Sequence, residues 1–275
     1  MGAIAIGATG TSLVAETWNG STWTVMGVPD PLGSQPSLPS VSCTTSKACV
    51  AVGDYFRNNV TRTFSEIWNG MTWRLIPTVN PSSEFNFFSS VACTAATVCQ
   101  AVGLIQEQKV GQKQLVEAWN GKTWYVRSTP SPSFPWGQQL TGISCTDSTS
   151  CVAVGFTEGA ETTTLIESWN GTAWSSSSSP STVELYSILY GVSCSGANFC
   201  LAVGIQSANQ IAWRSLAAVW NGQTWSDIPS ANSPKSTEDL LNGVSCPDPV
   251  ACEAVGSGTS NSGRTTFTLA EREAS

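Results

Sequence analysis

The 275-residue sequence contains no histidine. That absence removes serine–histidine–acid and cysteine–histidine machinery, the side chain that titrates near neutrality, and the commonest metal ligand. Charge is also scarce: Asp, Glu, Lys and Arg make up 11% of the chain, and the 12 Lys and Arg do not cluster. With a formal net charge of −7, no basic stripe exists to displace counterions, so nucleic acid and acidic membrane surfaces are not expected partners. No apolar run approaches the roughly 20 residues of a membrane helix, and Met1 to Gly10 lacks the charged-then-apolar layout of a signal peptide. No glycine-rich loop opens a helix, and redox chemistry would need copper or flavin ligands that the sequence does not offer, so no cofactor is expected. No segment sustains a 3.6-residue period, which leaves almost no helix.

What is present is sulfur at fixed intervals. Ten cysteines form five pairs of identical C-x5-C spacing: Cys43/Cys49, Cys93/Cys99, Cys145/Cys151, Cys194/Cys200 and Cys246/Cys252. Zinc is the competing reading, but it needs paired knuckles or histidines, and neighbouring pairs here lie about 50 residues apart. Disulfides are therefore expected, and with them a secreted or cell-surface location whose leader would lie outside this chain. Each bond closes a short loop and contributes about 2 kcal/mol in the chain-entropy account, so its main effect is to pin a turn.

The chain is also a repeat. Trp18, Trp68, Trp119, Trp169 and Trp220 are separated by 50, 51, 50 and 51 residues, a regularity that belongs to stacked or ringed supersecondary units. Repeat units fall at approximately 1–38, 39–88, 89–139, 140–189, 190–241 and 242–275, the first and last incomplete, within one domain. The parts recur as V-[SA]-C-x5-C-x-A-V-G, then E-x-W-N-G-x-x-W with Ala218 replacing the glutamate once, then a proline-rich linker. Four strands fit each unit: A (Ser40 to Cys43), B (Cys49 to Gly53), C (Thr63 to Trp68) and D (Thr72 to Ile76). The Asn-Gly between C and D predicts a tight turn with two positive-φ residues. The short Ala-Val-Gly strand predicts a doubly flanked position where small residues let facing sheets approach.

Four-stranded antiparallel units at this period are blades of a β-propeller, which leaves only short edges exposed. The run A-V-G followed by E-x-W-N-G-x-T-W resembles the kelch repeat, and it is similar to the Trp-Asn-Gly repeats of exported actinobacterial-type hypothetical proteins. The resemblance covers nearly the whole chain and implies an all-β propeller. The sequence departs from kelch in carrying one glycine where kelch has two, and in adding the C-x5-C loop. Residues 1–27 supply B, C and D, and residues 242–273 supply A, B and C, giving 22 strands. Five blades are favoured over six, with surplus edge strands available for self-association.

Alternating strand direction sorts the connections onto two faces. The A-to-B and C-to-D turns are short and uniform; the B-to-C and D-to-A connections are long and varied, which is where binding usually resides. Aromatics outside the repeat pattern gather there, so Tyr55, Phe56, Arg57, Phe87, Phe88, Trp136, Tyr186, Tyr190, Trp213 and Arg214 are the candidate ligand-binding residues. Flat rings beside Asn, Gln and Arg suit a sugar or another neutral ligand, although channel plugging and sheet packing account for such rings equally well. The recurring Glu16, Glu66, Glu117, Glu167 and Glu271 read as buried acceptors of N–H groups rather than catalytic acids, because glycosidase chemistry singles out one pair. Convergence of these carboxylates would instead make a cation site.

The composition thus points to an exported binding module, lectin-like, with a cell-surface assembly subunit and a glycoside hydrolase or lyase using Glu84, Glu107, Glu158 or Glu184 as alternatives. Alkylation of the denatured, unreduced protein is expected to find no free thiol, and prior reduction to release all ten cysteines in the mass spectrum. Thiols reactive before reduction would restore the zinc reading.

Overall fold

The computed structural model describes residues 3–9, 12–31, 34–108, 111–130, 136–180, 184–234, 236–260 and 265–272. Among them there are 22 strands and no helix. Residues 1–131 and 132–275 form two compact units.

Unit 1 holds a three-stranded sheet, β1 (Ala3–Thr9), β2 (Ser12–Trp18) and β3 (Trp23–Gly27). Two four-stranded sheets follow: β4 (Ser34–Thr45), β5 (Ala48–Arg57), β6 (Val60–Trp68) and β7 (Trp73–Pro77), then β8 (Phe85–Ala95), β9 (Val98–Glu107), β10 (Gly111–Trp119) and β11 (Trp124–Val126). Unit 2 repeats the plan with β12 (Gly137–Asp147), β13 (Ser150–Glu158), β14 (Thr162–Trp169) and β15 (Trp174–Ser176), followed by β16 (Tyr186–Gly196), β17 (Phe199–Ser207), β18 (Arg214–Trp220) and β19 (Trp225–Ile228). It ends in a three-stranded sheet of β20 (Ser236–Ser245), β21 (Glu253–Ser260) and β22 (Thr266–Arg272). Each sheet is an antiparallel meander, and in the five sheets that have an A strand the B strand pairs with both A and C, for example β5 with β4 and β6. Consecutive full sheets within a unit touch through one parallel pair, Thr61 with Phe85 and Thr162 with Tyr186.

All five cysteine pairs are bonded, Cys43–Cys49, Cys93–Cys99, Cys145–Cys151, Cys194–Cys200 and Cys246–Cys252, each spanning the A-to-B turn with Cα atoms 4.0–4.2 Å apart. The bonds pin these turns, and their burial adds a second role. The second cysteine of every pair lies in the core: Cys49, Cys99, Cys151, Cys200 and Cys252 are 1–4% exposed. Cys99 packs with Val91, Ala101 and Trp119, Cys200 with Val192, Ala202 and Trp225, and Cys252 with Cys246 and Ala254. These sulfurs are apolar core as well as cross-links.

In the four full sheets the hairpin tip also accepts a hydrogen bond from the C-strand indole: Trp68 Nε1 to Ser46 O, Trp119 to Ala96, Trp169 to Ser148 and Trp220 to Ala197, at 3.0–3.3 Å. That indole packs on the D-strand tryptophan opposite it, with ring centroids 5.6–5.9 Å apart in the pairs Trp68–Trp73, Trp119–Trp124, Trp169–Trp174 and Trp220–Trp225. The repeat tryptophans are therefore architecture: each ties its sheet's disulfide hairpin to its outer edge.

Three expectations about local structure need correction. The Asn-Gly turn does not use two positive-φ residues; only the glycine does, at φ +88° to +103° in the five copies. The asparagine acts through its side chain, Asn69 Oδ1 accepting from Met71 N and Thr72 N at 2.9 Å, with the same pattern at Asn19, Asn120, Asn170 and Asn221. The two-residue turn with both φ positive occurs instead at Asn58 and Asn59, between β5 and β6. Accordingly, the B-to-C connections are not long loops: the strands run on past the A-V-G motif, and β5 reaches Arg57 rather than Gly53.

The glycine of A-V-G is required by its own sheet rather than by a facing one. A Cβ on Gly53, Gly103, Gly155, Gly204 or Gly256 would lie 1.9–2.0 Å from a carbonyl oxygen of the A strand, belonging to Ser37, Phe87, Gln139, Ile188 and Leu240 respectively. The A strand makes this close approach where its register with B slips, as between Phe88 and Ser90 or Leu140 and Gly142. Gly103→Ala is therefore expected to lower unfolding free energy by about 2–3 kcal/mol, as overpacking does, which denaturant titration will read directly.

Candidate functional site

The C-strand glutamates sit between neighbouring sheets. Glu66, Glu117 and Glu167 have no exposed surface, and a buried carboxylate needs donors. Glu117 obtains one from the preceding D-to-A connection, its Oε2 accepting from Val79 N at 3.1 Å. Glu271 takes Ser230 Oγ at 2.9 Å and Ala231 N at 3.3 Å in the same way. Among the described residues no group of three or more metal-ligating side chains gathers.

Glu66 departs from the pattern. The residue that matches Val79 and Ala231 in the first repeat is Pro29, which has no N–H to give, and among the described residues neither Glu66 oxygen has a hydrogen-bond partner. The next residue, Asn80 or Asn232 elsewhere, is Asp30 here, and it performs the same capping, its Oδ1 accepting from Leu13 N at 2.8 Å as Asn80 Oδ1 does from Thr63 N at 2.7 Å. Burial, reinforced by the Asp30 charge, pushes the Glu66 carboxyl up to about 8, whereas Glu117, also raised by burial, is drawn back to about 7 by the backbone donors of Val79 and Asn80.

The sequence candidates separate by unit. In unit 1, Tyr55, Phe56 and Arg57 are the last three residues of β5; Tyr55 packs edge-on to Phe64 at 6.1 Å, Phe56 pairs with Thr61, and Arg57 is exposed at the turn. Phe85 and Phe87 stack on one face of β8, 6.4 Å apart and within 8° of parallel. Phe88 leaves the candidate set: alternation turns it inward, where it is 2% exposed and packs on Trp124. The D-to-A connection beside Phe85 and Phe87 is tied down, with Asn86 bonded to Ser82 and Thr61, and Arg62 donating to the carbonyls of Ser82 and Ser83.

In unit 2 two of the candidates meet. The Tyr186 and Trp213 rings lie 6.3 Å apart at 58°, both half-buried. Trp213 is held by its backbone, its N–H donating to Thr237 O at 3.0 Å and its carbonyl accepting from Asp239 N at 3.1 Å, which pins the ring between the fifth and sixth sheets. Tyr190 enters from the register slip of β16 between Leu189 and Gly191, and its phenol is held above the usual range by burial and by the nearby Glu238 carboxylate. Arg214 is exposed and paired in register with Gln206. Trp136 stands apart, 68% exposed immediately before β12. The arrangement is a rigid aromatic corner with one carboxylate, capable of stacking on an apolar face while accepting hydroxyl donors.

A larger cavity lies in unit 1 at the opposite, disulfide-turn end. It measures about 830 Å³ and is lined by Ile4, Trp18, Met26, Val41, Thr44 and Trp68 among others, none of its lining residues charged. Nothing in the loop asymmetry pointed to it; the only sequence sign is that the first repeat has B, C and D strands with no A strand or cysteine pair beside them.

No family model and no curated protein matches the chain. Solved structures do: YCF48 bound to D1 peptide, with 14% identity and TM-score 0.53 over 95% of this chain and 76% of that one; a protein of unknown function from Dyadobacter fermentans, with 11% identity and TM-score 0.58 over 94% and 82%; and the fucose-specific lectin from Aleuria aurantia, with 9% identity and TM-score 0.56 over 100% and 92%. The fold is a β-propeller. Propeller-type neighbours and one disulfide per repeat-like unit agree with the sequence reading of the architecture, and identities this low carry the fold alone. No helix of the described residues is long and apolar enough to cross a membrane.

The folded state holds the Glu66 proton more tightly than the unfolded chain, whose glutamate ionises near 4.5. The stability this group contributes is complete below that value and is lost as pH rises through about 8. Glu66→Gln is expected to unfold like the parent below pH 4.5 and to exceed it above pH 8 by on the order of 2 kcal/mol, as pH-resolved denaturant titrations will show.

Proposed function

We propose that this propeller is an exported glycan-binding module whose ligand seats on the aromatic corner of unit 2. One observation carries the reading: Tyr186 and Trp213 form a half-buried ring pair, and the Trp213 backbone is bridged to Glu238 on the neighbouring strand. Sugar rings present an apolar C–H face and a rim of hydroxyls, which an aromatic plane and a carboxylate acceptor complement. Trp213 is fixed by two backbone hydrogen bonds before any ligand arrives, so little ordering entropy is lost on binding. A neutral sugar suits a chain of net charge −7 better than an anionic one. Fold similarity to a fucose-specific lectin supports a sugar over other neutral ligands and makes fucosylated glycans the first probes. Export follows from five disulfides within the repeats, and the kelch-like assignment rests on the repeat motif itself.

Titration calorimetry against fucosylated and other neutral glycans is expected to give saturable binding. Trp213→Ala should weaken it about tenfold or more while the melting temperature stays close to that of the parent, in keeping with the loss of one aromatic anchor. Silence across the glycan set, or undiminished binding by the variant, removes the proposal.

A further inference from the structure

Successive sheets meet at a recurring joint, where a residue at the start of a C strand pairs in parallel with one at the start of the next A strand. Thr61 pairs with Phe85, Thr162 with Tyr186, and Trp213 with Glu238. The first two joints place a small hydroxyl on the C side and an aromatic ring on the A side. At the third the ring has crossed to the C side as Trp213, and a carboxylate stands where the other joints have their ring. Among these three joints this one alone carries a charge.

Residues paired across a ladder project to the same side, with Cβ atoms about 5 Å apart, so the Glu238 side chain leaves the backbone alongside the Trp213 ring. The bonds that make the bridge, Trp213 N to Thr237 O at 3.0 Å and Asp239 N to Trp213 O at 3.1 Å, keep the two in register. Tyr186 meets the indole on its other side, ring centroids 6.3 Å apart, and the Tyr190 phenol lies close enough to feel the Glu238 charge. Glu238 itself is half-buried and poorly satisfied: among the described residues its one donor is Thr259 Oγ1, at 3.4 Å, and no cation stands against it. Strand alternation turns Arg214, the residue after Trp213, to the opposite face, where it pairs in register with Gln206. A half-buried carboxylate short of donors, set beside aromatic faces, is the complement of a cation that carries N–H groups. The ring faces attract the positive charge, and each N–H to the carboxylate is a charge-assisted bond that a neutral hydroxyl matches only in part.

We propose that the sugar taken by this corner is an amino sugar, its ring lying on Trp213 and its protonated amine bound to the Glu238 carboxylate. The inference rests on the glycan-binding reading of unit 2 and narrows it from sugars in general to those bearing a free ammonium. Two features of the joint are then accounted for together. Indole is the aromatic side chain that best attracts a cation, which is the gain in placing Trp213 where the other joints have threonine. The carboxylate opposite supplies the counter-charge that Phe85 and Tyr186 cannot supply at the same position. The chain's net charge of −7 favours the approach of a cationic ligand as well. N-acetylation removes the ammonium, so the acetylated sugar loses the advantage of the free amine.

The full chain is titrated by calorimetry with matched methyl hexosides in gluco- and galacto-configuration, each as the free 2-amine, the N-acetylated amine and the plain hydroxyl form, and with cyclohexylamine as an amine without a sugar. In the configuration that binds, the free amine is expected to bind about tenfold more tightly than the hydroxyl form, with the N-acetylated sugar close to the hydroxyl form and cyclohexylamine at least about tenfold weaker than the amino sugar. Glu238→Gln keeps the size of the side chain and removes its charge, and is expected to narrow the gap between amine and hydroxyl forms to about twofold. Binding of the hydroxyl forms with no gain from the amine overturns the inference and leaves the glycan reading standing, whereas silence of every sugar removes both. A gap that survives in Glu238→Gln, or an equal loss of both forms in that variant, overturns the assignment of the amine to this carboxylate. Cyclohexylamine binding as tightly as the amino sugar overturns it too, by making the corner a site for amines rather than sugars.

Discussion

A carbonyl oxygen lying where a Cβ would be governs this structure. In five sheets the A strand closes on the B strand until only glycine fits beneath it, and regular pairing cannot survive that approach. The A strand therefore slips register at this point in every full sheet, and the slip re-aims the residues on either side. Past it, the cysteine of A meets the buried cysteine of B, and on the same stretch N–H groups on A's free edge meet serine hydroxyls of the neighbouring A strand. In unit 2 the slip also brings glycines together: a Cβ on Gly142 would lie 2.9 Å from Tyr190 O, and one on Gly191 would lie 3.0 Å from Asn242 O. One close approach thus sets the pairing inside a sheet and the spacing between sheets.

In two places a different device couples a sheet to the preceding linker, the carboxylates of Glu117 and Glu271 reaching for its donors. Its success depends on one backbone N–H. Val79 and Ala231 provide it; Pro29 cannot, and the unpaired carboxyl it leaves is easier to keep protonated than to ionise. A proline that suits a linker is therefore a fault when a neighbour needs its nitrogen, and the two requirements collide in the first repeat.

The proposed binding site falls where the repeat is broken rather than where it is kept. Trp213 occupies the place of Thr61 and Thr162 in other sheets, and by exchanging a small hydroxyl for an indole it builds the aromatic corner with Tyr186. Uniform positions are committed to holding sheets together, so recognition is left to the exceptions.

Local and periodic features were legible in the sequence. The cysteine pairs, the tryptophan period, the strand count and the strand order could be read because each depends on residues close in the chain or on a repeat that averages over copies. The sequence could not show that Phe88 faces a core while Phe87 does not, because a slip in register inverts a face without changing composition. Nor could it show that Cys99, Cys151, Cys200 and Cys252 are buried in the core, since spacing reveals a partner and not what packs around it. That the asparagine of the turn acts through its side chain and that Glu66 lacks a donor were equally hidden. Sequence by itself determined the unit and its number of copies; tertiary structure decided which groups in each copy are satisfied, because hydrogen bonds and close contacts between copies join residues tens of positions apart that no local pattern links.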